Sequence, residues 1–274
     1  MKLICLLLSQ LWLPLCAIGA APADPGAGQP VEQYGTAVAR SYLFEAANNQ
    51  RMPYEIFVPT SYGQGQKPAP LIVLLHGLLS NPWQVIHYMG IAQEAEKRGY
   101  IVVAPAGYND CGWYGSRGPG KDFDIRIGQG PDTPDNLGAL SEQDVLNVLA
   151  LVKKQYSIDP KRIYLMGHSM GGGGTFYLGM KYKEQWAALA AMSPAVYGSP
   201  DALESIRKMP VMVVQGDHDI LVHVGVTRRW VAKMQELKMD IRYLEIKGGD
   251  HLISICMNPK MISQVFDFFD QHTK

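Results

Sequence analysis

Five runs of uninterrupted apolar residues constrain this chain more than any other feature. They are Leu71-Ile-Val-Leu-Leu75, Ile101-Val-Val-Ala104, Ile163-Tyr-Leu-Met166, Ala187 to Ala191 and Val211-Met-Val-Val214. A strand with one wet face alternates apolar and polar residues; a run without alternation belongs to a strand covered on both faces. Between these runs lie stretches of helical period. Trp83 to Arg98 reads as one helix stopped by Gly99, and Leu140 to Tyr156 carries Val145, Leu146, Leu149 and Val152 on one face. Val224 to Leu237 and Pro259 to Gln271 complete the set. Strand and helix in alternation, with fully apolar strands, predict a mostly parallel central sheet with helices on both faces. Val38 to Glu45 and Pro53 to Val58 precede it as an expected antiparallel N-terminal strand pair, and the alternating Ile241 to Ile246 closes it. No internal repeat or second domain interrupts the pattern, so residues 38–274 are expected to form one α/β domain.

Charge narrows the partners. Lysine plus arginine and aspartate plus glutamate number 25 each. No basic surplus or charge block points to nucleic acid. The first residues read as an address. Lys2 precedes a mostly apolar stretch, Leu3 to Ile18, broken by Ser9, Gln10 and Pro14, and small residues follow at Gly19 to Ala23. That pattern predicts a secretory signal over residues 1–20, a linker over 21–37, and a secreted or periplasmic protein with no membrane association after cleavage. A lipoprotein anchor at Cys16 is the alternative, disfavoured by the bulk of Leu15.

The stretch Met166-Gly-His-Ser-Met-Gly-Gly-Gly-Gly174 lies between an apolar strand and a helix. A serine at the apex of a tight strand-to-helix turn needs neighbours without Cβ atoms two positions away, and Gly167 and Gly171 stand there. The turn would lift the Ser169 hydroxyl above the sheet edge and aim the helix N-terminus at it. A serine is a weak nucleophile without a base, and that base is ordinarily a histidine steered by a carboxylate. Of seven histidines, His251 follows the last strand in the flexible Gly248-Gly249-Asp250-His251 loop. His76 and His168 belong to turns beside strands; His87, His223 and His272 lie in or beside helices; His218 sits between two aspartates, where a local role is the simpler reading. The carboxylate is expected after the Val211–Val214 strand, in Gly216-Asp217-His218-Asp219, where the residues themselves leave Asp217 and Asp219 both open. Oxyanion donors are expected from the backbone N–H of Met170 and from the His76-Gly77-Leu78-Leu79 loop, at Leu78 with Leu79 as the fallback.

These segments resemble the α/β-hydrolase superfamily: HGLL after the first central strand, GHSMGG at the serine, GDHDILV after the penultimate strand and GGDH near the end. The resemblance implies the α/β-hydrolase fold and a Ser169-His251-Asp219 triad, with Asp219 preferred because Gly216, Asp219 and Val222 match the superfamily's acid loop. The stretch from Tyr156 to Ser169 is similar to secreted feruloyl, acetylxylan and polyhydroxyalkanoate-type esterases and to the catalytic domain of prolyl-oligopeptidase-like proteins. This implies a serine esterase acting on small or polymeric esters. A peptidase and a polyester hydrolase are the alternatives, and a non-catalytic binder on the same scaffold is a third. No cofactor is expected, since no P-loop, dinucleotide fingerprint or paired CxxC occurs, and no metal, since no zinc-ligand spacing does.

The segment 107–134 has no period and is rich in Gly, Asp and Pro, as functional loops are. It follows a strand, so it should lie at the carboxyl edge of the sheet, where ligands bind. Trp113 and Tyr114 are expected to stack on a sugar or aromatic acyl group, the alternative being that they pack the loop onto the body. Trp113, Tyr114 and Phe123 together argue that the segment is ordered. Cys111 opens this loop and Cys256 lies just past His251, which predicts a disulfide joining the two. Glu142 and Asp144 are expected to be solvated or capping charges.

Overall fold

The structure, a computed structural model, describes residues 33–64, 67–117 and 127–274. The expected signal, Cys16, most of the linker and Phe123 lie outside the described residues. Residues Gln33–Lys274 form one compact unit.

The strands are β1 (Ala37–Phe44), β2 (Gln50–Phe57), β3 (Ala69–Leu75), β4 (Ile101–Pro105), β5 (Ile158–His168), β6 (Ala188–Met192), β7 (Val211–Gly216) and β8 (Ile241–Ile246). They make one eight-stranded sheet in the order β1-β2-β4-β3-β5-β6-β7-β8. Pairing is antiparallel from β1 to β2 and from β2 to β4, and parallel from there to β8. The five apolar runs fall in β3 to β7, the interior of the sheet. The side chains of β3 show why no alternation was possible there. Leu71, Val73 and Leu75 face one apolar cluster, and Ile72 and Leu74 the other. Both faces are dry, so both sets must be apolar.

The helices are α1 (Pro82–Ile86), α2 (Ile91–Arg98), α3 (Leu137–Gln155), α4 (Met170–Lys181), α5 (Val224–Glu236), α6 (Ile253–Cys256) and α7 (Pro259–Asp270). One face of the sheet is covered by α3, α4 and α5 through Val145, Val148, Phe176, Trp230 and Met234. The other is covered by α1, α2 and α7, chiefly through Ile91, Ile262, Val265 and Phe266. The expected single helix over Trp83–Arg98 is two helices. Gly90 breaks it with a φ of 102°, and a Cβ there would stand 3.0 Å from the Pro259 Cα. A close approach to α7, invisible to local period, sets the break.

Glu142 and Asp144 are not solvated. Asp144 is fully buried in α3 and accepts hydrogen bonds from the Tyr42 hydroxyl (2.6 Å) and the backbone N–H groups of Gly107 (2.7 Å) and Tyr108 (3.3 Å). Burial pushes its carboxyl above the usual range despite these donors. It anchors the start of the 107–117 segment. Glu142 receives Lys181, Tyr177 and Tyr182 and ties α3 to α4.

Because β3, β5, β7 and β8 are parallel, their carboxyl ends open on one edge. His76 to Leu79, Ser169, Asp219 and His251 all follow those ends within a few residues.

Candidate active site

Ser169 is the N-cap of α4, with φ 58° and ψ −115°. A non-glycine residue pays for that conformation in strain. The surroundings over-determine it. The Ser169 N–H donates to the Met192 carbonyl (2.9 Å), and its own carbonyl accepts from Gly173 (3.0 Å) and Ala195 (2.9 Å). A Cβ on Gly167 would overlap the Gly171 carbonyl, and one on Gly171 would overlap the Leu75 carbonyl at the end of β3. The glycines thus let the turn press against the neighbouring strand.

His251 is nearly buried, and its Nε2 lies 2.8 Å from the Ser169 Oγ. Its Nδ1 lies 2.6 Å from Asp219 Oδ2. An ionised carboxylate only accepts, so Nδ1 carries the proton and Nε2 is left to accept from the serine. Asp219 is held by further donors. Leu221 N–H (2.9 Å) and Val222 N–H (2.8 Å) reach Oδ1, and Gln215 Nε2 (2.9 Å) reaches Oδ2. Burial alone would push this carboxyl up, but the hydrogen bond and charge of His251, with those two N–H groups, hold it below the usual carboxylate range. Asp217, the residue left open by sequence, instead accepts from Gly248 N–H at 2.6 Å and braces the turn.

An Esterase family model matches residues 46–251, a span that holds Ser169, Asp219 and His251. The chain belongs to this esterase family. It is 30% identical over 160 residues to a bifunctional acetylxylan esterase/xylanase of Neocallimastix patriciarum, covering 55% of this chain and 19% of that protein. It is 28% identical over 152 residues to an S-formylglutathione hydrolase of Rattus norvegicus, covering 53% of this chain and 52% of that protein. The chain therefore spans about half or less of these curated relatives. The fold matches that of a ferulic acid esterase from Anaeromyces mucronatus, solved with ferulic acid, with a TM-score of 0.65 at 17% identity over 92% of this chain and 96% of that one.

In this chain the loop after β3 runs directly beside the serine. A Cβ on Gly77 would stand 3.4 Å from the Ser169 Cβ. The Leu79 N–H is already committed to the Asp110 carbonyl at 2.8 Å. That removes the fallback donor and leaves Leu78. Met170 is the first residue of α4, where the N–H groups have no partner within the helix.

The expectation for Trp113 and Tyr114 is corrected. Tyr114 has no exposed surface; its ring lies against Gly107 and Gly174, and its hydroxyl donates to the His76 carbonyl at 3.0 Å. Trp113 is 3% exposed and packs edge-on to Tyr197. These aromatics fasten the loop to the body and have no face to offer a substrate.

The expected disulfide is also corrected. Cys111 and Cys256 are both free thiols. Cys111 is buried against the position of Gly128, while the Cys256 thiol lies beside Tyr88. The two sulfurs serve different neighbours.

Two residues at the site were not singled out from the sequence. Gln215, in β7, bonds Asp219 and the Val222 carbonyl (3.0 Å) and accepts from Thr227 Oγ1 (2.8 Å). His168, read as a turn residue, is buried and contacts the base loop. A polar residue inside an apolar strand was the only available hint of Gln215.

Proposed function

We propose that this chain hydrolyses carboxylic esters by two-step acyl transfer. His251 takes the Ser169 proton through Nε2 as the serine oxygen attacks the ester carbonyl. Asp219 holds the Nδ1–H tautomer and stabilises the imidazolium. The backbone N–H groups of Leu78 and Met170 receive the negative oxygen. The alcohol departs with the proton from His251, and water, activated by the same imidazole, releases the acid and restores the serine. The observation that carries this reading is the unbroken line from Ser169 Oγ through His251 to Asp219, at 2.8 and 2.6 Å.

The substrate proposed is a neutral ester of a short or aromatic acid, feruloyl or acetyl, borne by an extracellular polymer. Its support is twofold. The named relatives include an acetylxylan esterase and a ferulic acid esterase. The loops that carry the site residues also expose apolar side chains: Leu79 at 47%, Ile220 at 92% and Ile253 at 64%. Export, which such a substrate requires, is supported by the Lys2–Ile18 pattern and is checked by reading the N-terminus of the secreted protein.

A fluorophosphonate probe tests the chemistry. It should label Ser169 in the wild type and nothing in Ser169→Ala, and that variant should keep only residual turnover. Full ester turnover by Ser169→Ala would overturn the mechanism. Comparing p-nitrophenyl acetate, methyl ferulate, acetylated xylan and S-formylglutathione then ranks the substrates. A preference for the charged thioester would overturn the polymer-ester reading.

A further inference from the structure

His168 stands one residue before the nucleophile, and its ring hydrogen-bonds to the Tyr88 hydroxyl and the His251 carbonyl. It is 1% exposed. Its Nε2 lies 2.9 Å from the backbone carbonyl of His251, and its Nδ1 lies 2.9 Å from the Tyr88 hydroxyl. The two imidazole rings lie 4.9 Å apart at 35°. A carbonyl only accepts, so Nε2 carries the proton, and Nδ1 accepts from Tyr88. Behind Tyr88, the Cys256 thiol lies close to the same hydroxyl. The neighbouring Met89 N–H donates to the Cys256 carbonyl at 2.9 Å. The corner between α1 and α2 therefore grips both His168 and the end of α6, the helix that follows the base loop.

We propose that His168 is a positioning residue for the base: through the Tyr88–His168–His251 carbonyl chain it fixes the His251 loop so that Nε2 stays on the Ser169 hydroxyl. The β5 strand thus supplies the nucleophile and, one residue earlier, the brace for its base. The inference rests on the esterase reading above for its kinetic consequence. Burial, followed by the nearby charge of His251, drives the His168 imidazole down to about 3, so it stays neutral beside the working base. The carbonyl selects the Nε2–H tautomer, and Tyr88 supports it by donating its O–H to the Nδ1 lone pair. Without that donor, Nδ1 could take the proton and Nε2 would present a lone pair to a carbonyl oxygen.

The test compares His168→Leu, His168→Gln and Tyr88→Phe, with kcat counted per fluorophosphonate-titrated site. Glutamine can still donate to the His251 carbonyl and accept from Tyr88; leucine can do neither. His168→Leu should lose about ten- to a hundredfold in kcat, the scale of a sub-ångström misplacement, with KM within about twofold. His168→Gln should recover most of that loss, and Tyr88→Phe should fall between them. A second readout needs no substrate. The downfield proton resonance of His251 Nδ1–H should be present in wild type and His168→Gln, and broadened by exchange in His168→Leu. Wild-type kcat per site and an unchanged resonance in His168→Leu would overturn the proposal. Should His168→Leu fail to accumulate as folded protein, Tyr88→Phe decides by the same readouts. Were the wild type to turn over no ester, the esterase reading would fail while the resonance still decided this one.

Discussion

Asp219 Oδ2 lies 2.6 Å from His251 Nδ1, while Asp217, two residues earlier on the same loop, spends its carboxylate on the Gly248 N–H. The two aspartates therefore separate cleanly by substitution. Asp219→Asn should lower kcat by about 10⁴, because an amide permits the wrong imidazole tautomer. Asp217→Asn keeps an acceptor for Gly248, only weakening one exposed turn contact, and should hold kcat within about threefold. Turnover per titrated active site measures both, and a larger loss at Asp217 would reverse the assignment.

The oxyanion donor proposed at Leu78 is a main-chain group, so the side chain should be nearly irrelevant to it. Leu78→Ala should be mild. Leu78→Pro deletes the N–H and should cost about 10²–10³ in kcat, as loss of one such donor does. Leu79 offers no substitute, since its N–H is held by the Asp110 carbonyl. Steady-state kinetics on p-nitrophenyl acetate distinguish the pair, and equal effects of the two substitutions would show that the side chain acts.

At the serine turn, space decides. A methyl at Gly171 has no room beside the carbonyl of Leu75, and the neighbour is backbone, which cannot swing aside. Gly171→Ala should destabilise the fold by about 1–3 kcal/mol or more, as overpacking does. Gly198→Ala is the control: among the described residues, nothing lies within 4 Å of its Cβ position. Urea unfolding monitored by tryptophan fluorescence checks both, with a shift expected only at Gly171.

The central strands, Ser169 and His251 were legible in the sequence because each follows a local pattern, whereas Asp219 was preferred over Asp217 only by the family resemblance. Two-sided burial dictates an apolar run, and a strained serine dictates its glycines. What was not legible depends on partners far along the chain. Asp144 looks like a surface helix charge until Tyr42, 102 residues earlier, reaches it. Trp113 and Tyr114 sit in a segment without period, so nothing local says which way the rings point. The break at Gly90 is set by Pro259. His168 looked like part of the serine motif, and its role is set by Tyr88, 80 residues away.

The two thiols carry their own prediction. Burial pushes Cys111 up to about 11 and raises Cys256 as well. Thiolate is the reactive form, so at pH 7 only about one Cys111 in 10⁴ is poised to react. Iodoacetamide should label neither residue quickly in the folded protein, and both promptly in denaturant without reductant. Mass spectrometry of the peptides reads this. A linked Cys111–Cys256 peptide would restore the disulfide.

Acid should loosen the fold through His168. Its imidazole is ordinarily at 6.5 and is held at about 3 in the folded chain, by burial first and the charge of His251 second. Between those values the unfolded chain binds a proton that the folded chain refuses, so stability rises with pH across that window. The contribution is complete above about pH 6.5 and is lost progressively as pH falls towards 3. The charges of His251 and Asp219 also act on this ring, so a single curve would mix several contributions. His168→Gln isolates the effect, since the amide keeps the hydrogen bonds and does not titrate. Urea midpoints at pH 7.5 and pH 4.5 should fall further in wild type than in His168→Gln. Equal falls would mean that the His168 imidazole accepts its proton within the folded chain.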